Sequence, residues 1–211
     1  MLARRLRFLP LLFVALVLIA AARAEEVEVS SVRFNPARAP NNAPDAWFEA
    51  EIVLTVAPPP TSPGHMVNRV RVALSLGWEL PAPAGGVRRV EYYRAEAECV
   101  ALEAGRADVR FYLPPELVKR DQLYGSPKFW TIDLAAGGRA LPAARPASAA
   151  VLTADAAARR AFQTAVASGA AANEGLLQPQ YLTPFALEYS RATPSFVRRE
   201  AVASLPTRVS P

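Results

Sequence analysis

The sequence has few of the residues that carry most enzymatic and metal chemistry. Its 211 residues include one histidine, His65, and one cysteine, Cys99. A zinc site needs several Cys, His or carboxylate ligands, and a Ser-His-Asp arrangement would have to use His65, which lies in a loop after a proline run. The sequence has no Gly-x-Ser-x-Gly elbow, calcium-binding loop or phosphate-binding glycine loop. We therefore expect a protein that is not an enzyme and that uses no cofactor and no metal.

The single cysteine and the balanced charge bear on two further classes of protein, those held by disulfides and those that bind nucleic acid. Cys99 cannot form an internal disulfide, and it falls on an apolar strand face, which favours a buried thiol over a reactive one. The chain has 24 Lys and Arg against 19 Asp and Glu, and four of the arginines fall within the first 24 residues, which leaves 20 basic residues in the remainder. This balance gives no indication of nucleic-acid binding.

The first 24 residues have the order of a secretory signal peptide. Arginines at positions 4, 5 and 7 precede an apolar run from Phe8 to Ala22, and Ala22-Arg23-Ala24 is a small-x-small cleavage pattern. The run is shorter than the roughly 20 residues that a membrane-spanning helix needs, although an uncleaved signal anchor remains the alternative. We predict cleavage after Ala24 and a periplasmic, secreted or cell-surface protein that meets the membrane only through the signal peptide, during export.

Alternation of apolar and polar residues is the main structural signal in the rest of the chain. It places one uniformly apolar row on a strand: Val70, Val72, Leu74, Leu76 and Trp78. Side chains alternate sides along a strand, so this row is predicted to lie in a core. The same period continues over about Val87–Leu102 and Ala107–Leu113. We predict that residues 67–113 form three strands in an antiparallel meander with one face in solvent.

Further strands are predicted at Glu26–Phe34, with a bulge or a change of sheet near Ser30-Ser31, at Trp47–Val56 and at Phe129–Leu134. These runs with turn residues between them favour a mainly β fold, an antiparallel immunoglobulin-like β-sandwich with a C-terminal helix and an extended tail. We assign residues 1–24 to the signal peptide, 25–138 to the sandwich and 139–152 to a Pro/Ala-rich linker. Residues 153–211 are assigned to a helix and a C-terminal segment that packs on the sandwich.

The C-terminal part of the chain allows more than one interpretation. Thr153 is a good N-cap for a helix to about Ala167. Thr183-Pro184 and Thr193-Pro194 each resemble a helix cap followed by a first-position proline, yet residues 185–189 could equally form an edge strand. The aromatic residues here favour docking on the protein's own sandwich, with a partner-binding arm as the alternative.

Two pairs of carboxylates share strand faces: Glu49 with Glu51, and Glu96 with Glu98. Paired acids serve glycoside hydrolysis when they flank a groove. On a strand, such acids more often form the solvated side of a sheet, where Arg94 or Arg110 would pair with them across the strands. We favour the solvated face.

Three aromatic residues on strand faces predicted to be in solvent and three of the C-terminal segment form the candidate interaction surface. Its members are Trp47, Tyr92, Tyr112, Tyr181, Phe185 and Tyr189. The first three would suit a glycan-binding module, which is the alternative function. Exposed aromatic strips otherwise mark protein interaction sites.

Four short segments carry a resemblance to a known group of proteins. They are Val32-Arg33-Phe34, Trp47-Phe48-Glu49-Ala50-Glu51-Ile52, Tyr92-Tyr93-Arg94-Ala95-Glu96-Ala97-Glu98 and Phe111-Tyr112-Leu113-Pro114-Pro115. Over roughly residues 26–134 the chain resembles exported immunoglobulin-like proteins associated with type IV pilus and secretin gene clusters. The resemblance implies a non-enzymatic role in pilus or cell-envelope assembly, with a pilus or secretin component as the protein partner. Such a protein would act by surface complementarity or by adding a strand to an exposed sheet edge.

Overall fold

A computed structural model describes residues 26–40, 44–81, 89–142 and 147–198 of the chain. The predicted signal peptide, its cleavage site and the end of the predicted tail lie outside these residues. The strands are β1 (Val27–Arg38), β2 (Ala46–Val56), β3 (Met66–Glu79), β4 (Val90–Glu103), β5 (Gly105–Leu113), β6 (Phe129–Ala136), β7 (Arg139–Ala140) and β8 (Gln178–Pro179). The α-helices are α1 (Pro115–Asp121), α2 (Ala150–Ala154) and α3 (Ala156–Gly169).

The strands form two four-stranded antiparallel sheets that pack face to face. The first sheet has the order β1-β2-β5-β8 and the second has the order β4-β3-β6-β7. Consecutive strands change sheet between β2 and β3, and this distribution over two layers is that of an immunoglobulin-like sandwich. The predicted fold class is confirmed.

The core lies between the inner faces of the two sheets. The apolar row predicted on β3 is buried in full, from Val70 to Trp78. Opposite it lie the inward residues of β2 and β5, among them Ile52 and Phe111, which have no exposed surface. Period-two alternation identified these faces because each sheet has one side in the core.

The predicted meander is wrong in one pairing. β4 pairs with β3 along its whole length, as predicted, but β5 pairs with β2 in the other sheet and forms no ladder with β4. The chain crosses between the sheets at Gly105, whose φ of 116° is readily adopted only by glycine. Alternation reports which face of a strand is apolar, and it carries no information on which strand is the neighbour.

β1 is the outermost strand of the first sheet. Its register against β2 shifts between Val29 and Ser31, which confirms the bulge predicted at Ser30-Ser31. Pro36 lies near its end, opposite Phe48. Bulges and prolines are found on edge strands because an edge need not donate every ladder hydrogen bond.

The stretch predicted as a linker supplies the outer border of the second sheet. β7 pairs with the end of β6, and Ser148 forms a bridge to Thr131 farther along the same strand. The amide of Ile132 also donates to the carbonyl of Ala147, at 2.8 Å. Residues 143–146, in the middle of this stretch, are outside the described residues. A Pro/Ala-rich composition does not reveal such backbone pairing, because the hydrogen bonds involve no particular side chain.

Helix α3 packs on the outer face of the second sheet through Phe162 and Val166. Its N-cap is Asp155, whose carboxylate accepts hydrogen bonds from the amides of Ala157 and Ala158. The predicted cap, Thr153, instead lies within the short preceding helix α2. Gly77 gives the helix room, because a Cβ there would lie 2.9 Å from the Phe162 ring.

The two Thr-Pro pairs near the C-terminus behave differently. Thr183 caps a 3₁₀ turn at Pro184–Leu187 and its hydroxyl accepts from the amide of Phe185, as predicted. The alternative edge strand over this region is therefore wrong. Thr193-Pro194 starts no helix, and the residues that follow run alongside β4.

Candidate interaction site

Three of the six predicted interaction residues meet on the outer face of the first sheet. The Phe185 ring stacks on the Tyr112 ring with a centroid distance of 4.2 Å, and Trp47 approaches Phe185 edge-on at 5.7 Å. Tyr112 and Phe185 are completely buried, whereas Trp47 is half-buried. Tyr112 and Phe185 are therefore internal side chains in this structure, and Trp47 borders them.

The Tyr112 hydroxyl is also satisfied within the protein. It donates to a Glu49 carboxylate oxygen at 2.7 Å. Burial, followed by this hydrogen bond to a carboxylate, raises the pKa of Tyr112 well above its ordinary value. The 3₁₀ turn that carries Phe185 thus covers Tyr112 on this face of the sheet, and we call this turn the lid.

The other three predicted residues lie apart from this cluster. Tyr92 is half-buried beneath helix α3, with its ring 6.1 Å from that of Phe162. Tyr181 packs against Phe196 at 5.2 Å, beside the edge of β4, and Tyr189 is 65% exposed. Tyr92 lies on the second sheet and Trp47 and Tyr112 lie on the first, so these three rings share no single platform for a glycan.

The paired acids engage basic side chains. Glu51 accepts from Arg110 across the strands at 3.2 Å and also faces Arg33. Glu96 pairs with Arg94 at 2.9 Å, on the same strand. The cross-strand pairing predicted for Arg110 is confirmed, whereas Arg94 pairs along its own strand. Of the other two acids, Glu98 pairs with Arg69, and Glu49 accepts from the Tyr112 hydroxyl.

His65 is exposed on a short 3₁₀ turn before β3. Within the described residues, no group of three His, Cys, Asp or Glu side chains is placed to hold a metal ion. None of the helices in that part of the chain is long and apolar enough to span a membrane.

The two sheets have four edges, and these edges differ in how far other segments of the chain pair with them. β8 pairs with β5, and residues 139–149 border β6 in the described part of that stretch. The outer side of β1, over its 12 residues, has no neighbouring strand among the described residues. β1 is thus a long edge strand to which the described chain adds no further strand, whereas β5 and β4 are each paired over a short stretch.

Over Glu98–Val100 the edge of β4 is covered by the C-terminal arm, which we define as residues Pro194–Arg198. The amide of Val100 donates to the carbonyl of Ser195 at 2.9 Å, and the amide of Val197 donates to the carbonyl of Glu98 at 2.7 Å. These two bonds flank the bridge between Cys99 and Phe196. The arm therefore adds a very short antiparallel strand to the second sheet.

Cys99 and Phe196 form a non-hydrogen-bonded antiparallel pair, the arrangement in which two side chains stand closest on one face. Cys99 has no exposed surface, and burial, with a smaller effect of Glu98, raises the pKa of its thiol to about 12. The predicted buried thiol is confirmed. Phe196 packs partly into the core and covers this position.

The arm is joined to the rest of the chain by a turn that is bonded mainly to itself. The amide of Thr193 donates to the carbonyl of Ser190 at 3.0 Å, and the two side-chain hydroxyls lie 3.1 Å apart. One further bond, from the amide of Asp108 to the carbonyl of Ala192, ties this turn to β5. A cavity of about 450 Å³ separates residues 191–195 from the β4–β5 connection.

Sequence reasoning expected Tyr181 and Phe196 to dock on the sandwich, as they do, but left Phe196 out of the candidate site and missed the pairing with β4. The only signal available was Ser195-Phe196-Val197, a short apolar segment after a proline. A three-residue segment is too short for periodicity to distinguish a strand from a loop.

Comparison with known proteins supports the fold assignment. No family model matches the chain, and no curated protein matches it in sequence. A crystal structure of a protein from Akkermansia muciniphila is similar in fold, with a TM-score of 0.63 over 83% of this chain and 95% of that one, at 16% sequence identity. At this identity the likeness shows the fold alone, a two-sheet immunoglobulin-like sandwich.

Proposed function

We propose that the protein is an exported, non-enzymatic immunoglobulin-like component of the cell envelope that acts by protein–protein contact. The partner we propose is a pilus or secretin component, which the sequence resemblance implies. We place the protein in the periplasm or at the cell surface, after removal of residues 1–24.

The observation that carries this proposal is the open edge of β1. An extended segment of a partner can add to such an edge through backbone hydrogen bonds. The bulge at Val29/Ser31 and Pro36 bound a regular stretch, Ser31–Asn35. These irregularities discourage indiscriminate pairing along the whole strand, and the short stretch between them suits one directed partner.

The backbone parity of β1 indicates which groups face the partner. The carbonyl of Glu26 accepts from Ala57, so even-numbered residues before the bulge face β2. The extra residue of the bulge reverses this parity, so Val32, Phe34 and Pro36 direct their backbone groups outward. Proline at position 36 agrees with this assignment because it has no amide hydrogen to donate.

The test is co-purification from the envelope fraction, with pilus and secretin components identified by mass spectrometry. Val32→Pro removes an outward amide hydrogen and should abolish co-purification, whereas Val32→Ala removes similar side-chain packing and should retain it. Thermal unfolding checks that both variants are folded. Recovery of the same partner by both variants would reject the β1 edge as the docking site. A chain recovered only from the cytoplasm would reject export, and a mature chain that does not begin at Glu25 would reject the predicted cleavage site.

A further inference from the structure

The described residues expose six large apolar side chains. Tyr124 and Val151 lie elsewhere, and the other four lie in the segment before the C-terminal arm or where the arm meets β4. Leu182, Leu187 and Tyr189 are 62%, 86% and 65% exposed, and all three fall in the segment that leads into the arm. Val100, where the arm meets β4, is 48% exposed. A local concentration of exposed apolar groups on a soluble domain marks an interaction surface.

The turn between this segment and the arm, Ser190–Thr193, which we call the joint, can open with little loss of packing. The turn at Ser190–Thr193 is held mainly by its own hydrogen bonds, and the cavity under residues 191–195 leaves it poorly packed against the β4–β5 connection. Thr193 precedes Pro194, and a residue before proline favours an extended backbone. An extended joint would carry the arm away from its own sandwich.

We propose that two copies of this chain exchange their C-terminal arms, so that Ser195–Val197 of each copy pairs with β4 of the other. The exchanged arm forms the same contacts that it forms within one chain: two backbone bonds to β4 and the packing of Phe196 over Cys99 and against Tyr181. Exchange of an identical element is a low-cost route to a dimer.

The exposed apolar side chains supply the extra contact that favours the dimer. In the exchanged form the extended joints of both copies cross between the two sandwiches. Leu187 and Tyr189, which precede the joint directly, are then brought against the neighbouring copy and leave water. The exchange uses the β4 edge and leaves the β1 edge unchanged, so it is independent of the partner proposed above.

The position of the protein's single cysteine allows a direct test. One full-length mature chain keeps Cys99 and carries a tag that changes its mass. The other carries Cys99→Ala with Phe196→Cys, so its only thiol is on the arm. Non-hydrogen-bonded pairs have Cα atoms about 4.5 Å apart, within the range that a disulfide spans. Mixing and mild oxidation should give a heterodimer in which mass spectrometry identifies a disulfide between position 99 of one chain and position 196 of the other.

A matched control carries Cys99→Ala with Ser195→Cys, which places the thiol on a neighbouring exposed residue of the arm. It should give little of the heterodimer, because Cys99 is fully buried and out of reach of random collisions. A heterodimer yield equal to that of the Phe196→Cys chain would reject the exchange.

The single variant Phe196→Cys, with Cys99 retained, provides the second measurement. Oxidation at low concentration should join positions 99 and 196 within one chain and fix the arm, and this form should stay monomeric in light scattering while the native chain dimerises as its concentration rises. The proposal is overturned if the internal disulfide forms but no heterodimer appears and the native chain stays monomeric. Failure of the internal disulfide to form would overturn it as well, since the arm would not lie over Cys99.

Discussion

The substitution Phe185→Ala tests whether the aromatic cluster on the first sheet is a structural core or a free surface. The ring is 1% exposed, stacks on Tyr112 and is bordered by Trp47. Removing a buried phenylalanine ring typically costs about 3–5 kcal/mol, through lost burial and the cavity that remains. In a domain of this size that cost corresponds to a fall in melting temperature of roughly 10 °C.

The matched control for Phe185→Ala lies on the same 3₁₀ turn. Leu187 is 86% exposed within one chain, so at protein concentrations low enough for the monomer Leu187→Ala should change the free energy of unfolding by less than about 0.5 kcal/mol. Calorimetry and urea unfolding of both variants at neutral pH provide the measurement. A loss below about 1 kcal/mol for Phe185→Ala, similar to that of the control, would refute the interpretation of the turn as a lid, because a solvent-facing ring loses little on truncation.

Two further predictions concern helix α3 and the acid stability of the sandwich. Gly77→Ala places a Cβ 2.9 Å from the Phe162 ring and should destabilise the protein by about 1–3 kcal/mol in urea unfolding. Adding Phe162→Ala should relieve part of that cost. If the two substitutions change the free energy of unfolding additively, no clash exists at this contact. Hydrogen bonds from Arg120, and from Tyr93 to a lesser degree, hold the pKa of Asp121 below its ordinary value of 3.8. This carboxylate therefore contributes stability that is present above about pH 4 and is lost as the pH falls through its lowered pKa. Asp121→Asn should therefore reduce the loss of unfolding free energy between about pH 4 and pH 2. If the variant loses as much stability over this range as the native chain, the acid sensitivity belongs to other groups.

The sequence predicted best those features that depend on residues close together in the chain. The buried row on β3, the bulge in β1 and the cap at Thr183 each depend on residues close together in the chain. Their signals are local, because strand alternation, bulge parity and capping involve neighbouring positions only.

The burial of the candidate site residues could not be predicted from local sequence patterns. Tyr112 alternates as a solvent-facing residue of β5, and it is buried because Phe185, which is distant in sequence, stacks on it. Tyr92 is covered in the same way by Phe162 of helix α3. No periodicity within a strand can indicate that a later segment will cover its outer face.

The sequence by itself determined that this protein is mainly β, with one face of each alternating strand in a core, since rows of large apolar side chains must be buried against another layer. It also determined the absence of recognisable catalytic and metal-binding motifs. The tertiary structure decided which strands are neighbours, which aromatic rings are covered, and which sheet edges are open or paired. These features depend on contacts between segments far apart in the chain, and their energies come from burial and backbone hydrogen bonds that leave no local pattern.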